Sequence, residues 1–289
     1  MFVHGDNIIQ KENHQTKYQD ADSRKYLIEI RTRYDQWKAD NIALVGPSKV
    51  ISEKDTEVIA QRVRLFNEYK DFLDQQHFAE KFDSRSNLHS SVLEEFIYYL
   101  FKDLVKEISQ NALIGKAHAF KDIFFQPSSF DEMVKTPHVK IEIKDHDFVI
   151  GTTINTTFIC SGESSGETYL LDIPAVAIEC KTYLDKTMLE GASNAANQLK
   201  TRNPNALYLV AAEWLKLTEK VNLKKYQVDT IFVFRKQKNT DREFRYADSY
   251  MKNPIYADVV EIMFNLVRSH LTMDWEGGIA SGLAKGVLF

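Results

Sequence analysis

The segment IPAVAIECKTY (173–183) carries a run of apolar residues into Glu179, Cys180 and Lys181. In an extended strand alternate side chains share a face. Glu179 and Lys181 therefore point one way, and Cys180 points the other way into a core. An unpaired buried charge is costly, so the pair lines a cleft or holds a ligand, unless it is a plain ion pair at a strand end. Upstream, KDHDFVIG (144–151) brings Asp145 and Asp147 into a second apolar strand. If the two strands are neighbours, one aspartate meets Glu179 across the sheet. Carboxylates that close repel unless a cation lies between them. A divalent cation resolves the conflict, and Mg²⁺ suits because it needs few protein carboxylates and keeps waters for a substrate phosphate. Asp147 and Glu179 would then hold the metal, with the Cys180 backbone carbonyl as a further ligand. Lys181 would orient or deprotonate an acidified water and stabilise charge on the phosphate. A lysine beside a metal and out of bulk water is expected to have a lowered pKa, which suits a base.

These residues need elements to position them. Tyr26, Ile30, Tyr34 and Trp37 recur at helical spacing within 22–40. A second helix is expected from the acidic turn at Glu53 and Asp55 to about 76, with Val58, Val63, Phe66, Tyr69 and Phe72 inward. A third covers about 88–110. Strand signals begin at 141–151, with 152–159 continuing that strand or pairing with it, and 161–168 forming a turn with two glycines. Residues 173–181 read as a buried central strand and 188–202 as a helix. Two more strands follow at 206–214 and 229–236. A helix over 254–271 opens with a proline in its first turn. The fold class is α/β (α+β): a mixed central sheet flanked by helices. The expected division is a helical region over 1–80 and a core over 81–289.

Composition narrows the function classes. The chain has 289 residues, 44% of them apolar and 27% charged, which is ordinary for a globular protein. Cys160 and Cys180 make no CxxC pair and no disulfide framework. With no signal peptide at the start and no apolar run long enough to span a membrane, a cytoplasmic setting is expected. The net charge of −4 argues weakly against nucleic acid, because a phosphate backbone meets only a local patch. GxxxxGK[ST], GxGxxG and HExxH are all absent, which argues against phosphate-loop nucleotide binding and a zincin site. His146 reads as a packed or solvated strand residue. Cys180 reads as a small core hydrophobe.

The order of the motif residues, Asp, then about thirty residues, then ExK on a strand, then a helix, resembles the PD-(D/E)xK nuclease superfamily. The likeness extends to SVLEEFIYYLF (91–101), KDHDFVIG, PAVAIECKTYL (174–184), the Leu199–Lys200 pair and AEWLKL (212–217), which resemble subunits of BbvCI-like type II restriction endonucleases. FDSR (82–85) and KGVLF (285–289) also fit. The resemblance implies a restriction-endonuclease-like core that cleaves double-stranded DNA at a short specific sequence with Mg²⁺. It favours Asp147 over Asp145. It also makes Glu95 the helical glutamate aimed at the metal, with the adjacent Glu94 as competitor, since neighbours on a helix point about 100° apart. A catalytic set of Asp147, Glu179, Lys181 and Glu95 follows. Cutting both strands needs two centres, so the chain is expected to pair with itself or with a related nuclease subunit. A cognate DNA methyltransferase would belong to the same system. Candidate DNA contacts are Lys200 and Arg202 at the end of a helix, and Arg235, Lys236, Lys238, Arg242 and Arg245 in RKQKNTDREFR, which reads equally as a solvated charge run. A nuclease of repair or transposition, or a silent DNA-binding subunit, is the alternative.

Overall fold

In a computed structural model the protein is described over residues 2–82, 87–239, 245–275 and 279–286. Five helices come first: α1 (Val3–Glu12), α2 (Ala21–Ala43), α3 (Asp55–Leu73), α4 (Gln76–Lys81) and α5 (Asn87–Ile108). The strands β1 (Leu113–Phe125), β2 (Val139–Phe158) and β3 (Glu167–Leu184) follow, with the short α6 (Phe130–Met133) between the first two. Then come α7 (Lys186–Arg202), β4 (Leu207–Leu215), β5 (Thr230–Val233), α8 (Ala257–Thr272) and α9 (Ile279–Lys285). The strands form one sheet in the order β1-β2-β3-β4-β5. The first two pairings are antiparallel and the last two parallel, so the sheet is mixed as expected.

The central part of the sheet is covered on both faces. Phe148, Ile150, Val176, Ile178 and Cys180 face a cluster built with α2, α3, α5 and α8. Ala177, Tyr208, Val210 and Ala212 face α7, whose inward residues Ala192, Ala195 and Ala196 are small enough to bring the helix close to the strands. Asp185 starts α7 by accepting a hydrogen bond from the Met188 amide at 2.8 Å. This cap fixes the helix one residue after β3 ends.

Several elements differ from the sequence expectation. β1 was not anticipated, because its buried positions Gly115, Ala117 and Ala119 show no apolar alternation. Residues 152–159 continue the preceding strand and do not fold back on it. α8 begins at Ala257, three residues past Pro254, and β5 stops at Val233. Gly151 marks a register shift between β2 and β3, where a Cβ would run into the Ile173 carbonyl.

The helices of the first eighty residues share one continuous hydrophobic cluster with the sheet, from Ile8 to Val267. Ionic links run through it. Lys70 of α3, fully buried, pairs with Asp74 at 2.8 Å and with Glu213 of β4 at 3.3 Å. Glu213 also accepts from Arg235 at 3.0 Å. α1 is seated by polar groups: the buried His4 ring bonds the Ser91 hydroxyl at 3.0 Å and the Tyr69 hydroxyl at 2.7 Å. Burial, and then the positive charge of His89 and Lys70, holds the His4 pKa well below the ordinary histidine value. The unfolded chain therefore binds a proton that the native chain refuses. Stability is retained above about pH 6.5 and falls as pH drops through it, by up to ~1.4 kcal/mol per pH unit for one such group. Urea midpoints between pH 7.5 and 5 test this: a slope unchanged in His4→Gln would assign the effect to other groups.

Candidate active site

β2 carries the first carboxylate at an irregularity. Gly115 of β1 pairs with Val149 and Ala117 with His146, so the single residue Lys116 opposes two residues, Asp147 and Phe148. Such a bulge bends the strand and re-aims its side chains. The β2–β3 ladder runs only as far as Phe148 and Ile178. Just beyond that pair, the Asp147 carboxylate takes over the backbone's role and accepts the Cys180 amide at 2.9 Å. The strands part here, and the site lies in the opening.

Lys181 spans this opening. Its ammonium lies 2.7 Å from Asp147 Oδ2 and 2.8 Å from Glu179 Oε2. Glu179 Oε1 is held from the other side by the Tyr208 hydroxyl at 2.8 Å and by His146 Nδ1 at 3.3 Å. Burial alone would raise the Glu179 pKa, but the bonds from His146, Lys181 and Tyr208 outweigh it and keep the group well below the usual carboxylate range. Burial would lower the Lys181 pKa, but Asp147 and Glu179 reverse the sign and raise it above the ordinary lysine value. With its ammonium between the two carboxylates, Lys181 is held as the cation; the lowered pKa expected from the sequence belongs to a lysine beside a bound metal. Cys180 is buried on the opposite face, where desolvation and then the Asp147 charge push its thiol pKa well up.

The two glutamates of α5 have different surroundings. Glu95 is fully buried and turned toward the N-terminal helices. Its carboxylate accepts the His4 amide at 2.9 Å, the Gly5 amide at 3.2 Å, the Tyr34 hydroxyl at 3.0 Å and the Tyr99 hydroxyl at 2.7 Å. Glu94 has the opposite situation. Its Oε2 is buried with no hydrogen-bond partner. Burial, and then the negative charge of Asp147, pushes its pKa up to about 7. Asp145 is exposed and bonded to His118, away from the opening.

The donor set fits a hard divalent cation. Asp147 and Glu179 already share one positive charge, and Glu94 holds an unsatisfied oxygen near them. All of these donors are oxygen, as Mg²⁺ prefers. Among the described residues no three His, Cys, Asp or Glu side chains yet converge on one metal-sized point. Lys181 lies between the two carboxylates, and its side chain would have to shift for both to reach one ion.

The expected DNA contacts are scattered. Arg235 is fully buried: it donates to Glu213 and to the Asn253 carbonyl at 2.6 Å, and stacks 4.5 Å from the Trp214 ring. It is therefore part of the core and not of a solvated loop. Lys236 pairs with Asp258 and Lys238 with Glu219. Lys200 is bound to Asp229 at 2.6 Å, and Arg202 to Asp122 at 2.8 Å. Arg245 lies over the rings of Tyr183, Trp214 and Tyr246. Arg242 lies outside the described residues, as do Asp83–Arg85 of the FDSR segment. Sequence reasoning missed Tyr208 and left out His146 as partners of Glu179. A hydroxyl-tipped aromatic within the otherwise apolar run ALYLVAA was the available signal for Tyr208. The bulge that turns His146 inward leaves none.

The mixed sheet thus opens beside a carboxylate–lysine–carboxylate bridge. The family model of the Bpu10I restriction endonuclease matches residues 85–277, more than half of the chain, and the protein belongs to that family. Its fold matches that of a solved chain described as the native BbvCI A2B2 tetramer, with a TM-score of 0.69 and 17% sequence identity, covering 94% of this chain and 97% of that one. No curated protein matches the chain. Among the described residues no helix is long and apolar enough to cross a membrane.

Proposed function

We propose that the protein is a Mg²⁺-dependent type II site-specific deoxyribonuclease, or one subunit of a heterodimeric one, hydrolysing phosphodiester bonds of double-stranded DNA. The observation that carries this reading is the Lys181 ammonium bridging Asp147 and Glu179 where β2 and β3 part. Asp147, Glu179 and Glu94 are the side chains that would hold the metal, with the Cys180 carbonyl as a further ligand. When bound, Mg²⁺ supplies charge to polarise the scissile phosphate and to acidify a water.

The chain's own residues do the rest. The Cys180 amide fixes the Asp147 carboxylate, and Tyr208 with His146 fixes Glu179, so both are oriented before any ligand arrives. Once released from the carboxylates, Lys181 carries its positive charge to the phosphate and stabilises the charge that builds up during attack. The partly buried setting of Lys181 and Asp147 strengthens that interaction relative to bulk water.

Among the described residues one chain carries one such centre. A partner with a second centre is therefore part of the proposal. The BbvCI structure is described as an A2B2 tetramer, which favours a related second subunit. The cognate methyltransferase and the cytoplasmic setting belong to the same proposal. The test is plasmid DNA incubated with the purified chain in Mg²⁺ or in EDTA. Cleavage is expected in Mg²⁺ only. Linear product marks a self-sufficient pair, and nicked circles mark a chain that cuts one strand and needs its partner subunit for the other. DNA cut equally well in EDTA would overturn the mechanism.

A further inference from the structure

The residue on β1 opposite the site has a construction of its own. Gly115, just before it, has φ of +121°, a backbone conformation that side chains resist. This lies at the register shift where Lys116 alone faces Asp147 and Phe148. Along 115–119 burial alternates: Gly115, Ala117 and Ala119 are inside, and Lys116 and His118 are outside. His118 reaches Asp145 on its face of the sheet. Lys116 lies on that same face one pleat nearer the opening, and its positive charge is felt at both Glu94 and Asp145. Yet Lys116 has no ion pair or hydrogen bond among the described residues. Three neighbouring cations are engaged: Lys181 by Asp147 and Glu179, Lys121 by Glu142, and Arg202 by Asp122. Lys144 also acts on Asp145, but it pairs with Ala119 further from the opening, and of the two lysines Lys116 is the one whose charge reaches Glu94.

The opening is rich in carboxylates, which repel a polyanion. A strand of DNA brought to it needs a cation that is not already neutralised within the protein. We propose that Lys116 is a substrate-binding residue that contacts a backbone phosphate of the DNA strand entering the opening beside Asp147. This rests on the nuclease reading above, and goes beyond it by assigning a residue outside the metal-binding and ExK positions. Lys116 forms no hydrogen bond or ion pair with Asp147, Glu179 or Glu94 that its loss would break, so its substitution leaves the fold in place, and binding is measured in EDTA so that its charge at Glu94 does not enter through the metal.

The experiment measures binding of the full chain to a labelled mixed-sequence DNA duplex in EDTA over a range of salt concentrations. Each phosphate contact by a lysine contributes about 0.9 to the slope of log affinity against log salt. Lys116→Ala is therefore expected to flatten the slope by about one and to weaken binding about eightfold at 0.1 M salt. On plasmid in Mg²⁺ it raises KM more than it lowers kcat. Lys116→Arg restores both. Lys121→Ala, which removes a lysine already paired on the same strand, leaves the slope within error of the parent. If the parent chain binds and cuts DNA while Lys116→Ala matches it in slope, affinity and KM, the assignment of Lys116 fails alone. If the parent neither binds nor cuts, the nuclease reading fails first and Lys116 with it.

Discussion

Lys181→Ala is expected to lower the cleavage rate by at least about 10²–10³-fold, the usual cost of losing one preorganised group that stabilises developing charge. Duplex binding in EDTA should survive, because there the Lys181 ammonium is already neutralised by Asp147 and Glu179. A second effect separates catalysis from structure. Without the ammonium, Asp147 and Glu179 are left facing each other with no counter-charge. In EDTA the variant should therefore melt below the parent. Mg²⁺ should raise its melting temperature by more than it raises that of the parent, since the ion no longer competes with Lys181 for the same oxygens. Scanning calorimetry with and without Mg²⁺, beside a plasmid assay, reads both. Parent-like cleavage by the variant would remove Lys181 from the mechanism. A melting temperature indifferent to Mg²⁺ in both proteins would remove the metal from this site.

The two parts of this centre were unequally legible in the sequence. Glu179 and Lys181 could be read because a regular strand imposes alternation, and β3 is regular there. The helical first part and the mixed sheet were legible for the same reason, since α2, α3 and α5 repeat large apolar residues at helical spacing. β1 was hidden because Gly115, Ala117 and Ala119 are inward yet small. α1 was hidden because it seats itself through His4 and Gly5 against Glu95 and the tyrosines, with little apolar periodicity. The bulge at Asp147 breaks the strand's alternation, and the contact of His146 with Glu179 has no counterpart in any local pattern. Arg235 looked like the start of a solvated charge run because its partner, Glu213, lies 22 positions earlier on another strand. In each case the missing information was a contact between residues remote in sequence, which local patterns do not carry.

Adjacent glutamates on α5 give the second large prediction. Glu94→Gln keeps the shape of the side chain and removes its charge. Cleavage should fall by about 10²-fold or more, and the Mg²⁺ concentration for half-maximal activity should rise, because one anionic donor is lost. Stability in EDTA should not fall. The native pKa of Glu94 lies at about 7, above the ordinary value of 4.5. Between those values the native state binds more protons than the unfolded chain, so the parent loses stability as pH rises through the window. Glu94→Gln abolishes that loss, and at pH 8 in EDTA the variant should melt at or above the parent. Glu95→Gln should do the reverse. Its carboxylate satisfies two backbone amides and two tyrosine hydroxyls in the interior. Leaving such donors unpaired costs on the order of 2–4 kcal/mol, read as a lower denaturation midpoint at every pH. Activity per folded molecule should stay within a few-fold of the parent, and the Mg²⁺ dependence should be unmoved. A Glu95→Gln protein of parental stability that cannot cut DNA, beside an active Glu94→Gln protein, would exchange the two roles.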